Sequence, residues 1–350
     1  MNQALDCVCC GSCVADILVR PVPLAAAIGA GMMLKTDPLR LTTGGIACNS
    51  SIAMTRLGLK TAVLAYVGND EWGEMIHRRM EREGIYSPRL LRHPSVDTST
   101  SVVLIDPAGE RTFAHYAGAS CLLDKAVMLA NLDLFARSRM MLLGYYSQLP
   151  ALEEDLPEVL AAIRATGCRT ALDAGGSGGF MQPLDRILPH LDVYVPSRIE
   201  AVHQTGQTDP RAIIDTFRGC GAPGIVGVKL DSEGALLSPA AGVYVEVPCV
   251  PPPGQIIDTT GAGDAFFAGL LTGLLRGLGV ADAGCLGAAT ASCSITGLGA
   301  VEGIHPDRVI RVGGPHAPVQ GEALMTTPRE RVPAAGTPGP VIQPSTLVTK

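Results

Sequence analysis

The feature that most constrains this chain is a repeated switch between two hydrophobic periods. Short apolar runs, "RMMLLGYY" (139–146), "RTALDAG" (169–175), "LDVYVP" (191–196) and "GIVGVKL" (224–230), alternate with helical patterns such as "LPEVLAAIRATG" (156–167) and "PRAIIDTFRGCG" (210–221). A chain that alternates in this way builds a mainly parallel sheet with helices on both faces. Upstream, "CVCCGSCVAD" (7–16) reads as a buried first strand ending in a glycine turn. "KTAVLAYVGND" (60–70) reads as a strand and "EWGEMIHRRMEREG" (71–84) as an amphipathic helix closed by glycine.

Two segments break the alternation, about 17–42 and about 93–116. Both look β-rich or irregular, and "SVVLIDPAGERTFAHY" (101–116) reads as a hairpin around Pro107-Ala108-Gly109. They are expected to pair as a small accessory sheet over one end of the main domain. From about Pro315 the chain becomes rich in Pro, Gly and Thr and poor in core residues. The prediction is therefore one domain over 1–314 and a disordered tail over 315–350.

Composition narrows the function. The 350 residues are 47% hydrophobic and 17% charged, enough for a sizeable core. A net charge of -6 and 4% aromatics argue against nucleic acid as the main partner. The N-terminus "MNQALDCVCC" lacks the form of a secretory leader, and the apolar run Val22–Leu34 is broken by Pro23 and two glycines. A cytoplasmic protein without a membrane partner is expected, its 11 cysteines reduced.

The chemistry is carried by "DTTGAGDAFFAGLL" (258–271). Gly261 and Gly263 permit backbone angles closed to other residues, and Ala262 adds little bulk. If a helix starts near Asp264, the amides of this turn lack intrahelical partners and the helix dipole adds partial positive charge. Such a turn suits a phosphoryl group, and the adjacent acid can take a proton from a hydroxyl held against phosphorus. On "GAGD" alone, an ordinary capped helix start accounts for the residues better.

The longer string resembles the C-terminal signature of the ribokinase-like (PfkB-type) carbohydrate kinase family. "TTGGIACNSSIAMTRLGLKTAVLAYVGNDEWGE" (42–74) resembles that family's N-terminal signature. "GSCVADILV" (11–19) is similar to its opening strand and "GERTFAHYAGA" (109–119) to its returning lid strand. The resemblance runs in order from about Cys7 to Pro306. It implies a doubly wound α/β domain with a small β lid, and an ATP-dependent kinase of a sugar or nucleoside hydroxymethyl group. Asp264 then matches the catalytic base; Gly261, Ala262 and Gly263 the anion hole; Asp16, Gly44, Gly45 and Asn49 the substrate positions. Without the resemblance two readings stay open for each: Asp16 as a sugar-binding acid or a strand-end turn residue, and Asn49 as a sugar-binding carboxamide or a cap of a helix over 50–57.

"YVPSRIEA" (194–201) is similar to the segment that organises magnesium and phosphates, with Glu200 in place and Ser197 where the family has Asn. "VKLDSEGALL" (228–237) looks like the nucleotide-lining strand and loop, which assigns Lys229, Ser232 and Gly234 to the nucleotide and puts Asp231 where Gly is usual. "LDAGGSGG" (172–179) keeps Asp173 but lacks the family's following Asn and Arg. Asp258, Thr260 and the segment "TGLGAVEG" (296–303), with Gly299, match a monovalent cation site suited to potassium. Relatives often dimerise through the lid, so a homodimer is expected.

Several patterns lead elsewhere. Cys10-x-x-Cys13 has metal or redox spacing, but no second pair follows. The chain contains no G-x-x-x-x-G-K-[ST] phosphate loop. Three functions remain: a sugar kinase; a nucleoside kinase, with Phe113, His115 and Tyr116 as stacking candidates; and a non-catalytic sugar-binding regulator. The intact Asp264 and glycines weigh against the last.

Overall fold

The computed structural model describes residues 4–313 apart from 26–28, 30, 32, 108–109 and 177. The predicted tail and the tip of the predicted hairpin lie outside the described residues. Among the described residues thirteen strands form: β1 Leu5–Gly11, β2 Val14–Val19, β3 Arg40–Gly44, β4 Thr61–Gly68, β5 Leu90–His93, β6 Thr100–Ile105, β7 Arg111–Tyr116, β8 Ser138–Gly144, β9 Arg169–Asp173, β10 Val193–Tyr194, β11 Ile225–Lys229, β12 Ala235–Ala240 and β13 Val243–Val247.

Nine of them build one sheet in the order β13-β12-β11-β10-β9-β8-β1-β4-β5. Pairing is parallel from β11 to β5 and antiparallel only at β11–β12 and β12–β13. From β1 the chain winds outward through β4 and β5, then returns to the other side of β1 as β8 and winds away. The order therefore reverses between β1 and β8, where open α/β sheets bind their ligands. Gly11, Gly144 and Asp173 stand level at the carboxyl ends of β1, β8 and β9.

The remaining strands form a lid sheet, β3-β2-β6-β7. The run 7–16 therefore does not make one strand. It divides at Ser12-Cys13, β1 going to the main sheet and β2 to the lid. The divide has a local cause. Gly11 has φ +113, and a Cβ there would meet the Gly144 carbonyl oxygen at 2.4 Å, so the chain turns out of the sheet at the one residue able to do so. The lid thus begins before the expected 17, and His93 ends β5 in the main sheet rather than opening the lid.

The helix Ala262–Leu275 is apolar all round, "AGDAFFAGLLTGLL", and all but three of its residues are buried. A helix without a polar face has to be enclosed. This one packs between the helices Ile46–Arg56 and Val280–Ser294. Its close fit depends on Gly269, where a Cβ would lie 2.5 Å from Thr290 Oγ1. The amphipathic helix Glu71–Arg82 begins as predicted, with Asp70 accepting the Gly73 N–H at 2.8 Å. Among the described residues, no helix is long and apolar enough to cross a membrane.

Candidate active site

The helix Ala262–Leu275 starts two residues earlier than Asp264, with Gly261 as its N-cap at φ +73. Glycine is required there twice over: the angle is left-handed, and a Cβ would come within 2.4 Å of Ala300 Cβ in the 296–303 segment. Asp264 is therefore not the cap. It lies in the first turn, and no side chain caps this helix. The Gly263 and Asp264 amides are among the first helical N–H groups, which have no intrahelical acceptor. The Ala262 amide folds back to the Thr259 carbonyl at 3.3 Å, so it contributes less to an anion site than its neighbours.

Asp264 is 4% exposed and its carboxylate is held from two sides. Asn49 Nδ2 donates to Oδ2 at 2.7 Å, and the Tyr145 hydroxyl reaches Oδ1 at 2.8 Å and Oδ2 at 2.9 Å. The helix carrying Asn49 begins at Ile46, capped by Gly45 at φ +78, so Asn49 is inside the helix and is not its cap. Burial and the Asp173 charge push the Asp264 carboxyl up to about 6, against the Asn49 and Tyr145 hydrogen bonds and the Lys229 charge. It ionises near neutrality, the range a general base needs.

Tyr145 was not foreseen from the sequence. It follows the last residue of β8 in a left-handed conformation, φ 59 and ψ 45, unusual for a tyrosine. Its amide donates to the Asp173 carbonyl at 3.0 Å, which ties the turn after β8 to the end of β9. Burial and Asp264 raise its hydroxyl well above its ordinary value, so it stays a donor. The only sequence signal was an aromatic directly after a strand at the ligand-binding edge.

On the lid side, register sets one row across three strands. Asp16 pairs with Thr42 on β3 and Ser101 on β6, and Ser101 pairs with His115 on β7. Paired residues share a face, so a carboxylate, two hydroxyls and an imidazole line up; Ser101 Oγ and His115 Nδ1 are 2.9 Å apart. Asp16 is raised to about 7 by burial and by Asp258 and Asp264, against the Ser101 hydrogen bond. Gly44 leaves room for that carboxylate, since a Cβ would lie 2.0 Å from Asp16 Oδ2. Asn49 Oδ1 and the Thr42 and Thr43 hydroxyls are buried without a partner. Buried polar atoms of this kind are normally satisfied by something, here a ligand or water.

Asp264 and Tyr145 line a cleft of about 690 Å³. Gly261, Ala262, Gly263, Lys229, Ser197, Glu200, Ser232 and Gly234 also line it, as do the apolar Val250, Pro252, Ile256, Ala288 and Ile295. The Lys229 ammonium lies 2.9 Å from Asp173 Oδ2, and a Cβ on Gly263 would be 3.3 Å from it. Burial pulls its pKa down, but Asp173 and Glu200 outweigh this and the net direction is up, so it remains a cation. Ser197 and Glu200 form a capping box: Glu200 accepts the Ser197 N–H at 2.7 Å and Ser197 Oγ the Glu200 N–H at 3.3 Å. Burial and Asp173 raise Glu200, against Lys229 and Ser197. Asp231 adopts φ 54, the angle that explains glycine at this position in the resemblance, and its side chain is exposed.

Asp258, Thr260 and Gly299 also meet, but around a guanidinium. Thr260 N and Oγ1 and Arg111 Nη1 all donate to Asp258 Oδ1, at 2.9, 2.6 and 3.1 Å, and the Gly299 amide donates to Oδ2 at 2.9 Å. Arg111 comes from lid strand β7, 147 residues away, and was also missed by the sequence reading.

A doubly wound sheet accompanied by a separate four-stranded β sheet is the fold of ribokinase. Arabidopsis thaliana ribokinase, solved with ribose and ATP, superposes with a TM-score of 0.76 at 21% identity, over 89% of this chain and 99% of that one. The pattern of the pfkB family of carbohydrate kinases matches residues 4–307. The chain belongs to that family and is a sugar kinase. An uncharacterized sugar kinase of Escherichia coli (strain K12) is 32% identical over 268 residues, 72% of this chain and 77% of that protein. The ribokinase of Haemophilus influenzae is 26% identical over 281 residues, 78% of this chain and 88% of its own.

Proposed function

We propose that the protein transfers the γ-phosphoryl group of ATP to a hydroxymethyl group of a sugar or sugar derivative. The observation that carries this reading is the placement of Asp264. Its carboxylate is bound by Asn49 on the sugar side and lies in the first turn of the helix whose free amides face the cleft. Each carboxylate oxygen keeps lone pairs beyond those used by Asn49 and Tyr145, enough to accept an acceptor hydroxyl. Asp264 takes the proton as that hydroxyl attacks phosphorus. The Gly261 and Gly263 turn, the Asp264 amide and the Lys229 ammonium stabilise the charge on the transferring group. The apolar lining residues Val250, Pro252, Ile256, Ala288 and Ile295 suit adenine.

Asp173, Glu200 and Asp264 together outnumber Lys229, and this excess negative charge fits a magnesium ion that comes with the nucleotide. Among the described residues no three carboxylate, His or Cys side chains gather into a closed metal cage. A magnesium ion usually keeps several waters, and Glu200 would be a ligand through water. Magnesium would neutralise the phosphate charge there.

The sugar lies under the lid. The row Thr42–Asp16–Ser101 and the unpaired Asn49 Oδ1 supply acceptors and donors for vicinal hydroxyls. Phe113 shares the His115 face of β7 and is 54% exposed, which keeps a nucleoside acceptor as the second reading. Tyr116 points to the opposite face and drops out of it. That outer face, with Ile17, Leu41, Val102, Leu104 and Tyr116, is apolar and partly exposed, and we assign it to lid-to-lid dimer formation.

A coupled ADP-release screen over pentoses, hexoses, keto-deoxy acids and nucleosides tests the reading. Sugar-dependent ADP release is expected. Release with nucleosides only, or with no acceptor, contradicts it.

A further inference from the structure

We infer that Arg111 supplies, from the lid, the positive charge that a monovalent cation would otherwise supply at Asp258, so that turnover does not require potassium. The inference rests on the kinase reading above for its kinetic consequence, though not for its geometry.

The side chains expected at the cation site are present but already engaged. A potassium ion needs oxygen lone pairs. Asp258 Oδ1 already accepts three donors, the Thr260 amide and hydroxyl and Arg111 Nη1. Gly299 offers Asp258 its N–H at 2.9 Å. The Thr260 and Thr259 hydroxyls in turn accept from the two guanidinium nitrogens of Arg111. Asp258 Oδ1 and both threonine hydroxyls are thus engaged with the same guanidinium, and Asp258 Oδ2 with the Gly299 amide. The Asp258 side chain is 2% exposed, so its charge needs a fixed partner, and Arg111, 24% exposed, is the one it has. A second cation against Oδ1 would face a like charge at contact distance.

The placement has a mechanical side. Residues 258–260 run directly into Gly261, the helix cap. Arg111 is on β7, the edge strand of the lid, opposite Ile105. A planar fork with several donors grips two hydroxyls and a carboxylate at once, which a spherical ion or an ammonium does less rigidly. Arg111 is therefore a positioning residue: from the lid it holds the loop that carries the anion-binding turn.

The test compares potassium, sodium and tetramethylammonium chloride at equal ionic strength, by thermal unfolding and by ADP release. The wild-type protein should show the same Tm and the same turnover in all three salts. Arg111→Met, which keeps the aliphatic stem, should lower kcat by about tenfold or more in tetramethylammonium and gain a preference for potassium. Arg111→Lys should keep most of the rate and stay indifferent to the salt. A wild-type Tm or turnover that rises specifically with potassium overturns the inference. So does an Arg111→Met protein as active as wild type, or equally impaired in every salt. The unfolding comparison needs no substrate, so it decides the cation question even if no acceptor supports turnover and the kinase reading itself fails.

Discussion

Asn49 and Asp264, 215 residues apart in the chain, are joined by a 2.7 Å hydrogen bond from Asn49 Nδ2 to Asp264 Oδ2. Each lies in the first turn or just beyond it of a helix that starts on a left-handed glycine, Gly45 or Gly261. Two glycine-led helix starts thus converge. One presents the carboxamide proposed to bind substrate and the other the carboxylate proposed as the base, and the bond fixes their separation.

The titration of Asp264 sets the pH profile. A base must be ionised, and this carboxyl is raised to about 6, so kcat/KM should rise with pH and level off above that value. The Tyr145 and Asn49 hydrogen bonds both hold the carboxyl down. Tyr145→Phe removes one of them and should move the acid limb to higher pH, while the sugar KM changes less than the limb does. An unmoved limb means that Tyr145 does not act on Asp264.

Asp16 makes the opposite trade between stability and binding. Its carboxyl is raised to about 7 by burial, so the folded protein holds this proton more tightly than the unfolded chain. The ionised form therefore destabilises the fold fully above pH 7, and this penalty fades as pH falls towards the ordinary carboxylate range. Asp16→Asn should raise stability at pH 8 by about 2–4 kcal/mol and change it little at pH 4. It should also raise the sugar KM by roughly tenfold to a hundredfold. Thermal melts at the two pH values and sugar titrations check both signs.

Gly261→Ala tests the anion-binding turn without touching a charge. The new methyl would need φ +73 and would lie 2.4 Å from Ala300 Cβ. A loss of about 1–3 kcal/mol in stability is expected, with a larger proportional loss of kcat than of sugar affinity. Full activity in this variant means the turn does not hold the phosphoryl group.

The parallel sheet was legible because strand and helix periods alternate over most of the chain, and the turn before Asp264 because its glycines and its acid are adjacent. What was not legible depends on contacts across long separations. The run 7–16 is apolar throughout, and nothing local shows that it serves two sheets; only the approach of Gly144 to Gly11 does. Tyr145 becomes a partner of Asp264 because β8 ends beside a helix 119 residues later. Lys229 was read as a nucleotide ligand, and the structure adds its pairing with Asp173, 56 residues earlier. Arg111 looked like one more residue of a lid strand, and its role follows from the reach of its side chain to Asp258. The amide of Ala262 was assigned to the anion hole by its place in the motif, and the turn itself directs that amide to Thr259.

The most direct measurement is the turnover of Asp264→Asn with the best acceptor from the ADP-release screen. The amide can keep a hydrogen bond to Asn49 and preserves the shape of the site, but it cannot accept the proton. Turnover should fall by about 10²–10⁴-fold with little change in sugar binding and with no acid limb near pH 6. Turnover close to wild type would contradict Asp264 as the base, and with it the account of how this cleft moves a phosphoryl group.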